Sequence, residues 1–491
     1  MLQAGCRVVA TGSQSVHTKK MYKPKGYAGF GSFQIDVSVE AMIHTPQSEY
    51  TAPPRAVCTD DLWDSASAPA AFGNSLKCSN YFLDPSWTFL NHGAFGGACR
   101  VAVRSAQRWS EYAEQQPLRF IDRELFPLMC HSVRCLASLV KCPPTSLVLV
   151  SNATYALSSI IESFPLPTGA VVFCLDIGYG SVKTMLLSAV SKVGGKLVVG
   201  KVSFPLNGGP SELVSQIAPQ IPPDCVLAVF DYVTSNTGMV LPVLELIAAA
   251  KAVGAKVLID GAHALGAFDL DIPSLGADYF VSNCHKWLCS SRGLGMLYAS
   301  PSSPTPRAAV ISHGYGSGFS SEFIWDGCRD YGAAVALPTL LKWWDWVGLQ
   351  GAREYSRGLL ISGVKLLREA WKTDTHVPDE FYSHMACIQI PPSALPPGAL
   401  LEQEGECTLF RCTSGHSKMI QDALHHDFSI EVPAKTLPGP LGGEDSRTYL
   451  RVSAFVYNTF EDFEALAEAV LRMEWEENGS LKKKSGRRMG P

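Results

Sequence analysis

Residues 257–263 read VLIDGAH, and residues 282–287 read SNCHKW. The first stretch is an apolar run that ends in Asp260 and a glycine. The second stretch places Lys286 26 positions after Asp260, just ahead of the glycine-rich run 293–295. Short apolar runs bounded by glycine are typical of strands that are buried on both faces of a sheet. Residues 256–259 therefore predict a buried strand with Asp260 at its carboxyl end.

Similar apolar runs alternate with helical patterns from about residue 147 onward. The predicted strands are 147–150, 170–175, 197–202, 226–230, 256–259, 279–281 and 295–298. The predicted helices between them are 154–163, 181–193, 212–221 and 243–253. This alternation predicts an α/β fold with a mostly parallel sheet covered on both faces. Ligands of such sheets bind beyond the carboxyl ends of the strands, where Asn152, Tyr179, Asp231 and Asp260 fall.

The chain after about residue 340 has a different pattern, which predicts a smaller α+β domain. The expected helices are 355–371, 417–425 and 461–476, and the expected strands are 380–390, 408–412 and 449–453. We therefore predict a large domain over 79–340, a small C-terminal domain over 341–478 and a basic tail over 479–491. Residues 1–78 are rich in lysine, serine and threonine, and we expect them to form a poorly ordered extension.

The composition is that of an ordinary globular protein, with 46% hydrophobic and 18% charged residues and a net charge of −4. This charge does not favour a nucleic-acid partner. No apolar run approaches the roughly 20 residues of a membrane span. Fifteen cysteines without a C-x-x-C pair indicate reduced thiols, and no Cys/His cluster has metal spacing. We predict a cytoplasmic protein, with organellar targeting by residues 1–78 as the alternative.

Lys286 and Asp260 together indicate a site for pyridoxal 5'-phosphate. A lone lysine is more often a solvated surface group, and an aspartate after a strand is more often a helix cap. The pair in this context suggests that Lys286 carries the cofactor as a Schiff base. Asp260 would then hold a proton on the pyridine nitrogen and make the ring an electron sink.

The chain resembles the class V aminotransferase family of fold-type I pyridoxal phosphate enzymes. Within it, the chain is similar to the branch of isopenicillin N epimerase, cysteine desulfhydrase and hercynylcysteine sulfoxide lyase. The resemblance covers roughly residues 82–475. Its motifs are FLNHGAFG at 89–96, QPLRF at 116–120, SNAT at 151–154, GYG at 178–180, VTSNTG at 233–238, the Asp260 strand, the Lys286 loop, WDGCRD at 325–330, LRVS at 450–453 and YN at 457–458.

The resemblance implies a role for each candidate residue. Lys286 is the catalytic residue. The expected cofactor contacts are the Asp260 carboxylate, His263 near the ring oxygen or Asp260, a stacking ring from Tyr179, Ser235 near the ring oxygen, and a phosphate cradle of Asn152, Ala153, Thr154, Asn283 and His285. The expected substrate contacts are Arg451, which would bind the carboxylate, and Asn91 and His92, which would line the substrate mouth. The helix start at 152–154 is also an ordinary cap.

The reaction expected from the branch is β-elimination at a cysteine-type amino acid, which releases pyruvate, ammonia and a sulfur fragment. No cysteine follows Cys412, so the nucleophile that desulfurases carry shortly before the carboxylate arginine is missing. The alternatives are an amino-acid epimerase, an aminotransferase, or a nucleotide-binding or pseudo-enzyme scaffold without activity. Active sites shared at a two-fold interface imply a homodimer. In the intersubunit loop, Cys328 stands where the family usually has threonine.

Overall fold

A computed structural model of the chain describes residues 29–30, 33–34, 37–375, 377–404, 407–438, 445–477 and 479–482. Its centre is a seven-stranded sheet in the order β1-β7-β6-β5-β4-β2-β3. The strands are β1 (Leu147–Val150), β2 (Val171–Leu175), β3 (Lys196–Gly200), β4 (Cys225–Asp231), β5 (Lys256–Asp260), β6 (Tyr279–Asn283) and β7 (Gly295–Ala299). All seven predicted strands are confirmed, with shifts of one or two residues at their ends.

Strand β7 is antiparallel to both of its neighbours, β1 and β6, whereas the other strands run parallel to one another. The predicted mostly parallel sheet is therefore confirmed. Alternate side chains of β1 enter different cores: Leu147 and Leu149 pack on one face, Val148 and Val150 on the other. This two-residue alternation is the pleat of a strand that is buried on both faces.

Helices cover both faces of this sheet. The apolar face that contains Val148 packs against the helices Ala153–Ser163 and Gly180–Ser191. The opposite, larger core includes side chains of the helices Arg100–Gln115, Leu125–Leu139, Gly209–Ile217, Val243–Ala252 and Leu337–Val347. The covered sheet confirms the predicted α/β fold class.

The C-terminal region has its own antiparallel sheet in the order β8-β10-β9. These strands are β8 (Met385–Gln389), β9 (Ala434–Pro438) and β10 (Ser446–Ser453). The helices of this region are Leu349–Trp371, Ser414–Phe428 and Phe460–Leu471, and a hairpin pairs Leu400–Glu404 with Cys407–Phe410. The predicted strand 380–390 is shorter than expected because Asp379–Phe381 forms a 3-10 turn.

The N-terminal expectation needs correction for residues 37–78. The helix Val39–His44 buries Val39 and Ile43 in the main core, and the helix Asn74–Asn80 buries Leu76. Arg134 donates hydrogen bonds to the carbonyl oxygens of Ile43 and Thr45, at 3.1 and 3.0 Å. Residues 37–78 are thus part of the folded unit, whereas residues 1–28 and 483–491 lie outside the described residues. The domain boundaries themselves stay a prediction.

Among the described residues, no helix combines the length and the apolar character needed to cross a bilayer.

Candidate active site

A cavity of about 340 Å³ lies at the carboxyl edge of the large sheet. Strands β4, β5 and β6 run parallel and end in Asp231, Asp260 and Asn283, while Asn152 follows the end of β1. Parallel strands deliver these residues to one edge of the sheet. The predicted site residues that line the cavity are Asn152, Ala153, Thr154, Tyr179, Ser235, Asp260, His263, Asn283, His285 and Lys286. The structure therefore brings together ten of the residues that the sequence singles out.

Lys286 borders this cavity with an amine that loses its proton easily. Burial, as the largest cause, lowers its pKa from 10.5 to about 8, and the positive charge of Arg451 acts in the same direction. The carboxyl of Asp260 opposes this shift. Desolvation disfavours the ammonium form, so a minority of the lysine is a neutral amine near physiological pH, and the neutral amine predominates above about pH 8. A neutral amine is the form that attacks an aldehyde.

His263 contacts the Lys286 amine, and its tautomer is set by a neighbouring tryptophan. The indole N–H of Trp287 donates to Nδ1 of His263 at 3.3 Å. Burial lowers the pKa of His263 well below its ordinary value, so the ring is neutral. A neutral ring that accepts at Nδ1 carries its proton on Nε2. Nε2 lies 2.9 Å from Nζ of Lys286 and therefore donates to the lone pair of the neutral amine.

Asp260 has a second buried carboxyl beside it, that of Asp231. The two residues are paired in register on β4 and β5, and both are buried. Burial raises both pKa values, and the Asp260 charge raises that of Asp231 further. Asp260 accepts a hydrogen bond from the Ala262 N–H at 3.0 Å. Two adjacent buried carboxylates repel each other, so a cation against Asp260 stabilises the pair while Asp231 keeps its proton.

The N-terminus of the helix Ala153–Ser163 opens into the cavity. Asn152 caps this helix, because its Oδ1 accepts from the Tyr155 N–H at 2.8 Å. Asn283 accepts from the Ala153 N–H at 2.9 Å, so it holds the cap against β6. Thr154 is exposed toward the cavity, and His285 donates through Nδ1 to the Leu294 carbonyl oxygen at 3.1 Å. A helix start with free polar groups is a favourable environment for a phosphate.

The two remaining predicted cofactor residues flank the cavity from loops. Tyr179 precedes the helix Gly180–Ser191, and its side chain is 41% exposed, which leaves a ring face free to stack. Ser235 lies in the loop after β4. Its carbonyl oxygen accepts a hydrogen bond from Nη1 of Arg451. Ser235 therefore connects the cavity wall to the small-domain arginine.

Arg451 on β10 is buried and is not itself part of the cavity wall. Its Nη2 donates to Oδ1 of Asn91 at 3.2 Å. Its Nε has no hydrogen-bond partner among the described residues. Asn91 in turn donates through Nδ2 to Oε1 of Glu431 at 3.0 Å, which fixes the orientation of its amide. A buried guanidinium with an unused N–H is suited to an incoming carboxylate.

His92 does not lie at the substrate mouth, contrary to the expectation from the sequence. It is fully buried behind Lys286, and its Nε2 lies 3.0 Å from the Lys286 carbonyl oxygen. From this segment, Ala94 and Phe95 line the cavity, and Phe95 is 73% exposed. The short helix His92–Phe95 turns the histidine inward and the phenylalanine outward.

Sequence reasoning placed Asp231 at the ligand-binding edge of the sheet without giving it a role, and it did not name Trp287 as a site residue. Asp231 has a signal, since it ends a predicted strand as Asp260 does. Trp287 follows Lys286 directly, but an apolar ring there is also what a core position would carry. Its hydrogen bond to His263 depends on the folded loop and has no counterpart in the sequence.

The chain is similar to known proteins in sequence and in fold. The sequence profile described as aminotransferase class-V matches residues 133–318. A rice protein (Oryza sativa subsp. japonica) that carries the name L-cysteine desulfhydrase 1 is 30% identical over 408 residues, which cover 78% of this chain and 82% of the relative. The chain belongs to the class V aminotransferase family. Isopenicillin N epimerase from Amycolatopsis lactamdurans is 29% identical to this chain, over 79% of the chain and 95% of the relative.

Two solved structures share the fold of this chain. Cysteine desulfurase CsdA from Escherichia coli superposes with a TM-score of 0.61 at 18% identity, over 82% of this chain and 98% of that chain. The cystine C-S lyase C-DES, in complex with cysteine persulfide, superposes with a TM-score of 0.63 at 16% identity, over 79% and 97%. The predicted family and the fold-type I architecture are confirmed.

The residues around Lys286 fit pyridoxal 5'-phosphate, the cofactor of this family. A volume of about 340 Å³ lies within the range of small-ligand pockets. The cavity offers a neutral amine at Lys286, a buried carboxyl at Asp260, a helix start at Asn152 and a half-exposed ring at Tyr179. These groups match an aldehyde, a pyridine nitrogen, a phosphate and a ring face respectively.

Proposed function

We propose that the protein is a pyridoxal phosphate-dependent lyase that cleaves the C–S bond of cysteine-type amino acids. The observation that carries the proposal is the Lys286 amine, which has a lowered pKa and shares one cavity with Asp260. Several relatives bear the name L-cysteine desulfhydrase, including one from Arabidopsis thaliana at 27% identity over 87% of its length. With L-cysteine and water, the products are pyruvate, ammonia and hydrogen sulfide.

The chain's own residues divide the work of this reaction. The cofactor supplies an electron sink for the charge that forms at the substrate Cα. Lys286 Nζ moves the Cα proton, and its lowered pKa suits a base that works near neutral pH. The Asp260 carboxylate would stabilise a protonated ring nitrogen of the bound cofactor. His263 donates to Nζ and so orients the amine in the cavity.

Arg451 is the proposed anchor of the substrate carboxylate. Its unpartnered Nε–H and the remaining N–H groups of its fork offer charge-assisted donors. Asn91 and the Ser235 carbonyl oxygen hold the guanidinium between the two domains. A substrate fixed by its carboxylate presents the Cα–H bond in one orientation only, which favours proton transfer to a single base.

A desulfurase that forms a persulfide on its own cysteine is not supported by the thiols near Arg451. Cys387 faces Arg451 across the β8–β10 pair. It is fully buried, and burial raises the pKa of its thiol to about 12. Its Sγ donates to the Asn236 carbonyl oxygen at 3.5 Å. A neutral, hydrogen-bonded thiol is a poor nucleophile, so the proposal is elimination into solution.

Incubation of the purified protein with L-cysteine and S-substituted cysteines tests this function. We expect stoichiometric pyruvate and ammonia, together with sulfide from L-cysteine. Lys286→Ala should abolish the products and the borohydride-trapped cofactor adduct. Lys192→Ala is the matched control, because Lys192 is an exposed lysine paired with Glu162. Its product formation should equal that of the wild type.

Other products would replace this proposal with a stated alternative. Racemised substrate without pyruvate would identify an epimerase, and a keto acid formed only with an amino acceptor would identify an aminotransferase. A protein that takes up no cofactor and forms no adduct on Lys286 would be a scaffold without this activity.

We further propose a homodimer. Phe95 at the cavity and Ile311 in the loop after β7 are 73% and 72% exposed, and a second copy of the chain would cover such apolar side chains if they lie at the interface. Arg329 lies in the loop 325–330, where the family resemblance implies an intersubunit contact, and Asp326 holds its Nε at 2.7 Å. Light scattering should give twice the mass of one chain, and a monomeric mass would refute the dimer.

The compartment also stays a proposal. We place the protein in the cytoplasm, with an organelle as the alternative. One relative from Arabidopsis thaliana carries the word chloroplastic in its name. Fluorescent fusions of the full chain and of a chain lacking residues 1–36 would distinguish the two compartments.

A further inference from the structure

The buried imidazole of His92 is hydrogen-bonded on both sides. Nε2 lies 3.0 Å from the Lys286 carbonyl oxygen, which can only accept, so Nε2 carries the proton. Burial lowers the pKa of His92 to about 3, so the ring is neutral and Nδ1 is an acceptor. Nδ1 lies 2.7 Å from the Tyr457 hydroxyl, which therefore donates. The result is a relay in one direction, from Tyr457 through His92 to the backbone of Lys286.

Aromatic rings hold the imidazole in this position. Phe455 stacks on it with 4.1 Å between ring centroids, and Trp287 lies on it at 4.7 Å. Such contacts restrict the ring to one orientation. The relay is therefore fixed by packing as well as by hydrogen bonds.

Gly96 makes a second contact between the same segment and the Lys286 backbone. Its φ is +72°, and a Cβ there would lie 2.1 Å from the His285 carbonyl oxygen and 2.9 Å from the Lys286 Cα. Only glycine permits this approach. Arg292 donates through Nη2 to the Gly96 carbonyl oxygen at 3.1 Å, which keeps the turn in place.

The other end of the segment is attached to the small domain. Thr88–Phe89 pairs in parallel with Ile430–Glu431. The Ser453 N–H donates to the Leu90 carbonyl oxygen at 2.8 Å, and the Gly93 N–H donates to the Ser453 hydroxyl at 3.2 Å. Ser453 is two residues after the proposed substrate anchor, Arg451. The segment 88–96 thus joins the strand of Arg451 to the backbone of Lys286.

We propose that His92 is a positioning residue that holds the backbone of Lys286 on the side away from the cavity. The Lys286 amine then keeps its direction into the cavity, and the segment 88–96 fixes the distance between Lys286 and Arg451. The proposal rests on the proposed function of Lys286. A misplaced amine costs proton-transfer rate, because transfer requires a near-ideal approach to the Cα hydrogen. The substrate-binding groups are not touched by His92.

His92→Phe in the cofactor-loaded enzyme tests the proposal, because it removes both hydrogen bonds and keeps an aromatic ring between Phe455 and Trp287. We expect kcat for L-cysteine to fall about tenfold or more, with KM changed less than about threefold. The pH midpoint of the bound cofactor's absorbance should shift by about half a unit or more. Borohydride should still trap the cofactor on Lys286. His92→Gln, which can donate to the same carbonyl, should recover part of kcat.

His131→Phe is the matched control, because His131 is a partly buried histidine that contacts Tyr50 at 3.2 Å in another part of the molecule. It should leave the midpoint and kcat unchanged. Wild-type values in folded His92→Phe would overturn the proposal. If that variant does not fold, Tyr457→Phe decides: an unshifted midpoint and kcat overturn it, and smaller changes in the same direction support it. A wild-type protein without cofactor absorbance would refute the proposed function instead.

Discussion

The chemistry of this site depends at the residue scale on the protonation of a few groups that are buried or largely shielded from solvent. Lys286 is pushed toward the neutral amine and Asp231 toward the neutral acid, both mainly by burial. His263 and His92 are neutral rings, each with a tautomer fixed by a neighbouring donor or acceptor. The site therefore holds its protons in place before any ligand arrives, which reduces reorganisation during the reaction.

The pH dependence of cofactor capture follows from the Lys286 pKa. The value in the folded protein, about 8, is below 10.5, so the folded protein releases this proton earlier than the unfolded chain. Burial of the ammonium costs about 3 kcal/mol below pH 8, and this cost disappears as the pH rises toward 10.5. We expect the rate of cofactor capture by apo-protein to rise about tenfold per pH unit up to about pH 8 and then level off.

Stopped-flow absorbance of apo-protein mixed with pyridoxal 5'-phosphate measures this rate. Lys192→Ala should follow the wild-type profile, because its amine is exposed and far from the reaction. A capture rate that does not vary between pH 6 and 9 would contradict the assigned protonation of Lys286.

Individual site residues differ in how well the sequence predicts them. Lys286 and Asp260 could be predicted as candidates because a buried strand that ends in Asp, followed by a Lys at this spacing, is typical of a pyridoxal phosphate site. His92 was placed wrongly because a residue in a short turn points either way, and no periodicity records which side is buried. The Trp287–His263 contact depends on loop geometry that forms only in three dimensions.

The C-terminal region shows at the element scale how one helix is adapted along its length. The helix Leu349–Trp371 presents Gly363 to the helix Phe460–Leu471, where a Cβ would lie 2.4 Å from Cδ1 of the buried Phe463. Gly358 in the same helix has nothing within 4 Å of a Cβ. Gly363 therefore permits close packing of the two helices, whereas no packing contact requires a glycine at position 358.

Alanine substitutions at these two glycines should have opposite effects. Gly363→Ala should lower the unfolding free energy by about 1–2 kcal/mol, because overpacking against Phe463 exceeds the gain in helix propensity. Gly358→Ala should raise it by about 0.5–1 kcal/mol through propensity alone. Thermal or urea unfolding of both variants measures the difference. Equal shifts would mean that Phe463 moves aside freely.

The elements of the large sheet were predictable because buried strands carry short Val, Ile and Leu runs. The antiparallel direction of β7 was not, because apolar runs look the same in both directions. The end of the last helix at Leu471 also escaped prediction, since the apolar pattern continues to Met473 and Trp475 without a helix. Pattern thus identifies elements better than it identifies their direction or ends.

The whole molecule is held together partly by the N-terminal segment that sequence reasoning left unordered. Val39 and Ile43 are spaced four residues apart and fill the core beside the helix Leu125–Leu139. Residues 37–43 carry several apolar side chains, but the run is too short for its periodicity to distinguish a helix from a strand. Their contribution arises only because the rest of the fold leaves a groove for them.

Ile43→Ala should therefore destabilise the protein by about 2–4 kcal/mol, as expected for a buried isoleucine. His44→Ala, which changes the next and exposed residue, should stay within about 0.5 kcal/mol of the wild type. Unfolding midpoints of the two variants check this. A negligible loss of unfolding free energy for Ile43→Ala would mean that this segment does not stabilise the fold.

The cysteines that the structure describes differ in how deeply their thiols are buried. Cys58, Cys78 and Cys328 are exposed, whereas Cys284 and Cys289, on either side of Lys286, are buried, and burial raises the pKa of both. Thiolates attack polysulfides and peroxides, and these two thiols stay protonated and buried. Oxidants formed from released sulfide would therefore meet the exposed thiols first, while the two thiols beside the catalytic lysine are shielded from them.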